Sequence, residues 1–293
     1  MYSALRSLIF KLDPELSHNL AIKSLKFNYS PVKNIIIDSS IETNFFGKKI
    51  NNPIGIAAGF DKNAEVYNPL YRLGFGFVEV GTVTPKKQYG NPKPRVFRLE
   101  EDEALINRLG FNNSGSDAIG SRINSYPPNG VLGINIGPNM STTNKLEDYL
   151  ICLRKFHKLC DYLTINISSP NTENLRNFHN KSELDQLLKI IQEEKKILKS
   201  NILIALKISP DIEEKNISNI SELLLKYEVD IIIISNSTDQ NRNNLKNINK
   251  LEKGGLSGKP IEKKSNILIN KFYKILSKQQ KSILVEKLKM QLF

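Results

Sequence analysis

The sequence predicts an α/β fold, a (β/α)8 TIM barrel preceded by a short N-terminal helical pair. From about Pro53 onward, short β-branched runs alternate with longer amphipathic stretches, which is typical of repeated βα units with parallel strands. Polar or glycine-containing residues follow almost every run, and such a barrel builds its active site at that end of its strands. An open doubly wound sheet is the competing fold, and the absence of a G-x-G-x-x-G turn after the first strand disfavours it.

Two helices are expected before the barrel. The apolar and basic residues 3–10 suggest the first, and Asp13-Pro14 provides a cap for a second helix over residues 15–27. The pair could close the bottom of the barrel, or it could lie on a membrane with Leu5, Leu8, Ile9 and Phe10 inserted. The sequence leaves both alternatives open. We assign residues 1–30 to this helical pair and residues 40–293 to the barrel domain.

Six strands and two of the helices between them are clear in the sequence. The strands are predicted over residues 54–58, 77–81, 131–136, 162–167, 202–208 and 229–235, and the helices over residues 146–159 and 182–198. A proline-rich excursion at Lys93-Pro94-Arg95 is typical of a hairpin. A seventh strand is expected at residues 282–285.

Composition and charge exclude several classes of protein. A chain of 293 residues that is 40% hydrophobic can bury one large core. The net charge of +12 is spread along the chain among abundant Asn and Ile, so no nucleic-acid partner is expected. Cys152 and Cys160 lack metal-type spacing and predict neither a disulfide nor a metal site. No apolar run approaches the roughly 20 residues that span a bilayer, so a soluble or peripheral protein is expected.

Small and basic residues follow the first two strands. Ala58 and Gly59 would let a ring or a phosphate approach the backbone. Lys62 can reach into the barrel mouth, although a lone loop lysine is usually a solvated surface group. After the second strand, Thr82 could donate to a ligand carbonyl or cap a turn.

Amide side chains recur at the later strand ends. The run from Asn107 to Asn113 combines three amides, a cation and an aromatic ring around one glycine, which is either a turn or a surface for an imide-like ring. Asn135 and Asn166 close the third and fourth strands, where an amide is costly unless it is hydrogen-bonded. Lys207 follows apolar residues of the fifth strand, where an electron-rich partner would offset its burial. These positions suggest one planar ligand.

The ordered motifs resemble those of the membrane-associated, quinone-dependent class (class 2) of dihydroorotate dehydrogenases, over residues 1 to about 276. They are Ala57-Ala58-Gly59-Phe60-Asp61-Lys62, Gly81-Thr82-Val83-Thr84-Pro85, Asn107-Arg108-Leu109-Gly110-Phe111-Asn112, Gly133-Ile134-Asn135-Ile136-Gly137, Asn166 to Thr172 with Leu175-Arg176, and Gly254-Gly255-Leu256-Ser257-Gly258. The resemblance implies oxidation of (S)-dihydroorotate to orotate in de novo pyrimidine biosynthesis. It also implies hydride transfer to FMN and electron transfer to a membrane quinone.

The resemblance further assigns residues to the site. Ser169 becomes the catalytic base, in a position where soluble relatives of another class have cysteine. The residues expected to bind FMN are Ala58, Gly59, Lys62, Thr82, Asn135, Asn166, Lys207, Ser235 and Gly258. The residues expected to bind dihydroorotate are Lys62, Asn107, Arg108, Leu109, Gly110, Phe111, Asn166, Asn171, Asn236 and Ser237. No metal is expected.

A chemical role follows for several of these groups under the same resemblance. A carbon-bound proton would leave toward Ser169 while a hydride leaves the adjacent carbon for the flavin. Because a serine hydroxyl is a poor base, a relay through water or a nearby hydroxyl such as Thr172 is expected. Lys207 would stabilise the reduced flavin, and Lys62 would pair with the substrate carboxylate. His18, His157 and His179 are expected to be solvated or structural.

The same resemblance implies a location. The chain would be a peripheral membrane protein on the cytoplasmic face of the cell membrane, held there by its N-terminal helices. Quinone would enter between those two helices. Serine at position 169 and the helical pair argue against a soluble enzyme coupled to fumarate or NAD.

The chain departs from the family pattern at its end. Ser235 and Ser237 replace the more usual threonines and retain a hydroxyl group. After residues 282–285, relatives continue into a glycine-rich turn, an eighth strand and a helix, whereas this chain reads Glu286-Lys287-Leu288-Lys289-Met290-Gln291-Leu292-Phe293. We therefore expect a barrel that is incomplete at strands 7–8 and lacks the flavin phosphate site, through a frameshift or premature end. The alternative function is an inactive remnant that cannot retain FMN.

Overall fold

Seven parallel strands form a curled sheet at the centre of the fold. The structure, a computed structural model, describes residues 9–27, 38–279 and 284–286. Its strands are β1 (Thr43–Phe45), β2 (Lys48–Ile50), β3 (Gly55–Ile56), β4 (Phe77–Val83), β5 (Val96–Leu99), β6 (Ala104–Asn107), β7 (Val131–Ile136), β8 (Tyr162–Asn166), β9 (Leu203–Ile208), β10 (Ile231–Ile234), β11 (Gly255–Gly258) and β12 (Leu284–Glu286). Its α-helices are α1 (Pro14–Lys26), α2 (Tyr67–Arg72), α3 (Ser116–Ser125), α4 (Lys145–Phe156), α5 (Lys181–Ile197), α6 (Glu214–Lys226) and α7 (Lys259–Gln279).

The strand order identifies the fold class. Across the sheet the strands follow chain order, β3-β4-β7-β8-β9-β10-β12, and every neighbouring pair is parallel. A doubly wound sheet reverses its strand order at a switch point, and no such reversal occurs among the described strands. The predicted TIM-type architecture is therefore confirmed. Within the described residues β3 and β12 remain the two edges of the sheet, so the barrel is open there.

The helices cover the outside of the sheet because each has one apolar face. In α5 the buried residues Leu184, Leu187, Leu188 and Ile191 follow the spacing i, i+3, i+4, i+7. In α6 the corresponding stripe is Ile217, Ile220, Leu223 and Leu224. Each fully buried leucine or isoleucine contributes about 1.5–3 kcal/mol. These stripes therefore hold the helices on the strands.

A hairpin seals the lower end of the barrel, where the strands begin. Strands β1 and β2 are antiparallel, and Phe45 and Ile50 point into an apolar cluster with Phe77, Tyr162 and Ile231, which lie at the starts of three barrel strands. Phe45 stacks on Phe77 with ring centroids 5.9 Å apart. The second of the predicted N-terminal helices does not close the bottom, because Pro14, Glu15 and His18 lie at the other end of the barrel.

Helix α1 lies at the opposite end of the barrel. The Asp13 carboxylate accepts from the Leu16 backbone N–H at 2.8 Å, and Pro14 occupies the first turn, as the capping sequence predicts. Ile22 is the buried residue of this helix. The expected first helix lies mostly in residues 1–8, outside the described residues. In the described part of the chain, no helix is both long and apolar enough to cross a bilayer.

A three-stranded antiparallel sheet forms a roof beside α1. Strands β5 and β6 make the hairpin predicted at the proline-rich excursion, and β11 adds to β6 with Gly255 opposite Asn107. The motif that contains β11 was not predicted to be a strand. Its pairing partner is about 150 residues away, so periodicity within the motif carries no information on it.

The predicted strand limits are correct to within a few residues. The first strand is shorter than predicted because the chain turns at Gly59, whose φ is +114° and whose N–H donates to the Gly81 carbonyl at 2.8 Å. The predicted seventh strand is confirmed as β12, which pairs in parallel with β10 through Leu284 opposite Ile231. Residues 287–293, where the sequence departs from its relatives, lie outside the described residues.

Candidate active site

A cleft of about 1120 Å³, open solvent at its mouth included, lies at the carboxyl ends of the strands. The barrel forms its floor, and α1, β5 and β6 form its roof. Most of the predicted site residues line it: Ala58, Gly59, Lys62, Thr82, Asn107, Leu109, Gly110, Phe111, Asn166, Ser169, Asn171, Lys207, Asn236 and Ser237. A concave site lined by apolar residues and a few convergent polar groups is typical of sites for small molecules and cofactors.

Four predicted residues lie away from the cleft wall. Asn135 is fully buried beneath it, behind Thr82. The Ser235 hydroxyl pairs with that of Ser265 on α7 at 2.8 Å. Gly258 has a φ of +101°, and a Cβ there would lie 2.4 Å from the Glu103 carbonyl, so strand pairing explains this glycine. A direct ligand contact is therefore not needed to account for these three residues.

Arg108 is the fourth, and its guanidinium faces the roof instead of the cleft. It pairs with Glu252 at 2.7 Å, donates to the carbonyls of Lys253 and Pro94, and lies 4.6 Å from the centre of the Phe97 ring. These contacts join β5, β6 and the segment before β11. The resemblance assigned Arg108 to the substrate as part of the motif from Asn107 to Phe111, but alternation along the chain turns its side chain away from the cleft.

The floor of the cleft is a connected network of buried polar side chains. Asn135 donates to Glu79 at 2.9 Å and accepts from Thr82 at 2.6 Å and from Asn166 at 3.0 Å. Thr164 donates to the second Glu79 oxygen at 2.8 Å. These residues lie on β4, β7 and β8, whose parallel pairing brings their ends together. The network meets the requirement that buried amides be hydrogen-bonded.

This network limits the hydrogen bonds that the Thr82 hydroxyl can make to a ligand. Its proton is donated to Asn135, and its oxygen accepts from Asn166 at 3.1 Å. A hydroxyl has one proton to donate. In this arrangement Thr82 offers a ligand only an acceptor.

The loop after β8 places Ser169 in the wall. Ser169 is 5% exposed, and its oxygen accepts from the Asn171 backbone N–H at 3.2 Å. The Asn171 amide donates to the Asn107 carbonyl on β6 at 3.1 Å. The nearby Thr172 side chain is also buried. The predicted base therefore lies between the floor and the roof of the cleft.

Arg176 holds this loop against its neighbours. It donates to the Ser168 carbonyl at 3.2 Å and to the Ser237 carbonyl at 3.0 Å. It also pairs with Asp211 at 3.1 Å and Asp239 at 3.0 Å. One guanidinium thus connects the loops that follow β8, β9 and β10. The leucine and arginine of the motif were recognised in the sequence, but this role was not.

His179 reinforces the same junction as a neutral ring. Its Nε2 accepts from the Ser209 backbone N–H at 3.1 Å, so its Nδ1 carries the proton and donates to the Arg176 carbonyl at 2.9 Å. Burial lowers the pKa of His179 to about 4. The prediction that this histidine is structural agrees with these contacts.

Two lysines bring positive charge to the cleft. Lys62 donates to the Gly59 carbonyl at 2.7 Å; burial lowers its pKa to about 8, and the Glu15 charge opposes that shift. Burial also lowers the pKa of Lys207, and the Glu79 charge opposes it. Within the described residues the Lys207 ammonium has no hydrogen-bond acceptor or ion-pair partner at bonding distance. It is therefore available to a ligand.

Sequence reasoning missed three residues of the site. His18 was expected far from any strand end, yet it lies in the cleft wall and packs edge-on against Phe60, with centroids 5.3 Å apart. Burial and the Lys62 charge lower the pKa of His18 to about 4. Glu15 also lines the cleft and pairs with Arg95 at 2.6 Å, which anchors α1. The third is Glu79, whose acidic side chain inside an apolar strand was the available indication.

The cleft fits a planar ring with carbonyl and imide groups. A Cβ added at Gly59 would meet nothing within 4 Å, so the backbone is open to a ring there. Lys207 supplies an unpaired cation, and the surrounding amides supply donors and acceptors. Among the described residues, no cluster of three histidine, cysteine or acidic side chains is arranged to hold a metal ion.

Comparison with known proteins gives the family. A family model for dihydroorotate dehydrogenase matches residues 40–285. A relative named dihydroorotate dehydrogenase (quinone) from Bartonella tribocorum is 45% identical over 280 residues, which are 94% of this chain and 77% of the relative. One of the same name from Idiomarina loihiensis is 42% identical over 291 residues, 95% of this chain and 86% of the relative. A crystal structure of DHODH from Eimeria tenella in complex with ferulenol superposes with a TM-score of 0.88 at 35% identity, covering 93% of this chain and 79% of that one. This chain belongs to the dihydroorotate dehydrogenase family.

Proposed function

We propose that this chain oxidises (S)-dihydroorotate to orotate in pyrimidine biosynthesis, with FMN as cofactor and a membrane quinone as electron acceptor. The observation that carries the proposal is Ser169, which lies in the wall of a cleft that also presents several amides and two lysines. Serine in this position, where soluble relatives have cysteine, supports the quinone-dependent class.

The substrate is held by groups from the roof and the floor. Asn107 and Asn171 are already connected by a hydrogen bond, and Asn236 and Ser237 lie in the same wall. Their amides and hydroxyl match the donors and acceptors of a pyrimidine ring. Lys62 pairs with the carboxylate of the substrate, because a half-buried ammonium gains most from an anionic partner.

Ser169 accepts the proton that leaves the substrate carbon. The Asn171 N–H already occupies one lone pair of its oxygen, which fixes the hydroxyl in place. An unactivated serine hydroxyl hardly ionises near neutrality, so the proton passes onward through water or through the buried Thr172 hydroxyl. FMN, when bound, supplies the two-electron acceptor for the hydride. Lys207 stabilises negative charge on the cofactor ring from the floor.

Helix α1 is the element that links the cleft to a membrane. Its inner face contributes Pro14, Glu15 and His18 to the cleft wall, while Leu16 and Leu20 are about half exposed on its outer face. An amphipathic helix with exposed leucines and lysines in its last turn is suited to an anionic membrane surface. A quinone in that membrane would reach the cleft beside α1. On this basis we propose a peripheral position on the membrane surface, and the cytoplasmic face follows from the family resemblance alone.

Anaerobic reduction of bound flavin tests the proposed function. The purified chain, supplied with excess FMN, is expected to retain flavin absorbance, to bleach when dihydroorotate is added and to form orotate in equal amount. Added quinone should then restore the oxidised spectrum. Loss of all flavin on desalting, together with no dihydroorotate-dependent dye reduction in excess FMN, would contradict the proposal and favour the inactive remnant.

A further inference from the structure

A carboxylate lies under the centre of the cleft floor. Glu79, on β4, is fully buried and accepts from Asn135 at 2.9 Å and from Thr164 at 2.8 Å. Within the described residues it forms no ion pair, and Lys207 is the lysine whose charge it stabilises from a distance. Burying a carboxylate with only neutral partners costs several kcal/mol. A neutral side chain of similar volume would cost less free energy to bury. The charge is therefore expected to have a function.

Glu79 and the Ser168 backbone N–H together determine which way two amides face. A carboxylate only accepts, so Asn135 must present its NH2 group to Glu79 and its oxygen to Thr82 and Asn166. At the other end, the Ser168 backbone N–H only donates, and it points at the Asn166 oxygen at 3.2 Å. Both amide orientations therefore follow from the chemistry of the end groups.

The hydrogen bonds continue from Asn166 to the cleft wall. The Ser168 hydroxyl donates to the Asn166 oxygen at 2.8 Å and accepts from the Asn236 amide at 2.9 Å. Asn166 and Asn236 both line the cleft. A change in the orientation of Asn135 would thus alter the groups that the wall presents to a ligand.

We propose that Glu79 is a positioning residue: it orients the Asn135 amide and supplies a negative charge below the cleft floor, where Lys207 is the neighbour of Asn166 across strands β8 and β9. This inference rests on the proposed function for its consequence in catalysis. Its geometric part concerns only residues of this chain and can be tested without flavin.

The charge on Lys207 is tested in the protein without cofactor. Lysine amines react with acetic anhydride only when uncharged, so the pH dependence of labelling, read by mass spectrometry, follows each amine. Glu79→Gln should lower the midpoint for Lys207, because the charge that opposes its burial is lost. Glu194→Gln is the matched control, since Glu194 is a buried carboxylate on α5 that pairs with Arg154 away from the cleft. It should leave the Lys207 midpoint unchanged.

The orientation of the amides is tested by a reciprocal exchange. Asn135→Asp alone sets two acceptor-only carboxylates against each other and should lower the melting temperature more than Glu79→Gln does. In the double variant Glu79→Gln/Asn135→Asp, the glutamine can donate to the aspartate, which still accepts from Thr82 and Asn166. The double variant should therefore be more stable than Asn135→Asp and recover the Lys207 midpoint.

Two outcomes would overturn the inference. One is a Lys207 midpoint in Glu79→Gln equal to that of the parent, and the other is a double variant less stable than both single variants. In flavin-loaded protein, Glu79→Gln should also slow flavin reduction about tenfold with little change in orotate affinity. A parent chain that binds no flavin would contradict the proposed function alone, because the labelling and melting experiments need no flavin.

Discussion

At the scale of single residues, the proposed base is a serine that is fixed in position but not chemically activated. Arg176 holds the preceding carbonyl, and the Asn171 N–H holds the Ser169 oxygen. Within the described residues no histidine or carboxylate contacts the Ser169 hydroxyl. Its contribution to rate is therefore expected to come from placement of the proton acceptor next to the substrate carbon.

Removing the Ser169 hydroxyl should change the rate of flavin reduction but not the affinity for orotate. We expect Ser169→Ala to slow flavin reduction by dihydroorotate about 10²–10⁴-fold with little change in orotate affinity. Asn171→Ala should weaken orotate binding as well, because Asn171 lines the cleft and its amide connects the loop after β8 to Asn107 in the roof. Stopped-flow reduction and orotate titration measure the two quantities. Unchanged reduction in Ser169→Ala would refute its role as the base.

Lys62 should impose a pH limit on substrate binding. The pKa of Lys62 is lowered to about 8 in the cleft without substrate, so the ammonium proposed to pair with the substrate carboxylate is lost as pH rises through that value. We expect KM for dihydroorotate to rise above about pH 8. In Lys62→Arg the side chain stays charged, so the rise should disappear even if KM is higher throughout. A pH profile identical in the two proteins would show that another group titrates.

At the scale of elements, α1 has two faces with separate tasks. Its inner side is fastened by the Glu15 pair with Arg95 and by contacts of the Arg98 guanidinium with the Leu12 carbonyl and the Ser17 hydroxyl. Its outer side carries exposed leucines. The polar contacts fix how α1 lies on the barrel, and so they fix which apolar side chains face outward.

Changing only the outer face should disconnect the enzyme from a membrane. We expect Leu16→Ser/Leu20→Ser to reduce flotation with phosphatidylglycerol-containing vesicles and to lower turnover with quinone in those vesicles several-fold. Turnover with a water-soluble dye should not change, because neither leucine lines the cleft. Ile197→Ser is the control, since Ile197 is 74% exposed on α5. Equal flotation of both variants would contradict membrane docking through α1.

The elements show what sequence could and could not predict. The barrel strands were predictable because β-branched runs are local features, and Ser169 was predictable because its whole motif lies in one loop. The outward direction of Arg108 depends on Phe97 and Glu252, which approach it through the roof sheet. An acidic residue inside an apolar strand marks Glu79 as unusual, but the role proposed for it depends on its contacts with Asn135 and Thr164. Contacts between side chains of elements that are distant in sequence could not be predicted from the sequence.

At the scale of the whole molecule, the fold contains neutral histidines at packed junctions. His179 lies between the loops after β8 and β9, and His18 lies between α1 and Phe60. Both pKa values are lowered to about 4. An unfolded histidine titrates near pH 6.5, so the unfolded chain binds protons first as the pH falls.

Stability should therefore fall between pH 6.5 and pH 4. For His179 the loss at pH 5 is about 2 kcal/mol, and it is absent above pH 7. His179→Gln keeps a neutral side chain at every pH, so its free energy of unfolding should be lower than that of the parent at pH 7 but should change less on going to pH 5. Urea unfolding at both pH values measures this. The same pH dependence in parent and variant would remove His179 as the cause.

The β1–β2 hairpin has a consequence for engineering this protein. Phe45 and Ile50 stabilise the barrel from the end where the strands begin, and every residue assigned to ligand binding lies at the other end. Substitutions in the hairpin can therefore adjust the lifetime of the folded chain independently of its chemistry. A library of variants restricted to that hairpin could be selected for stability without changing the residues on which turnover depends.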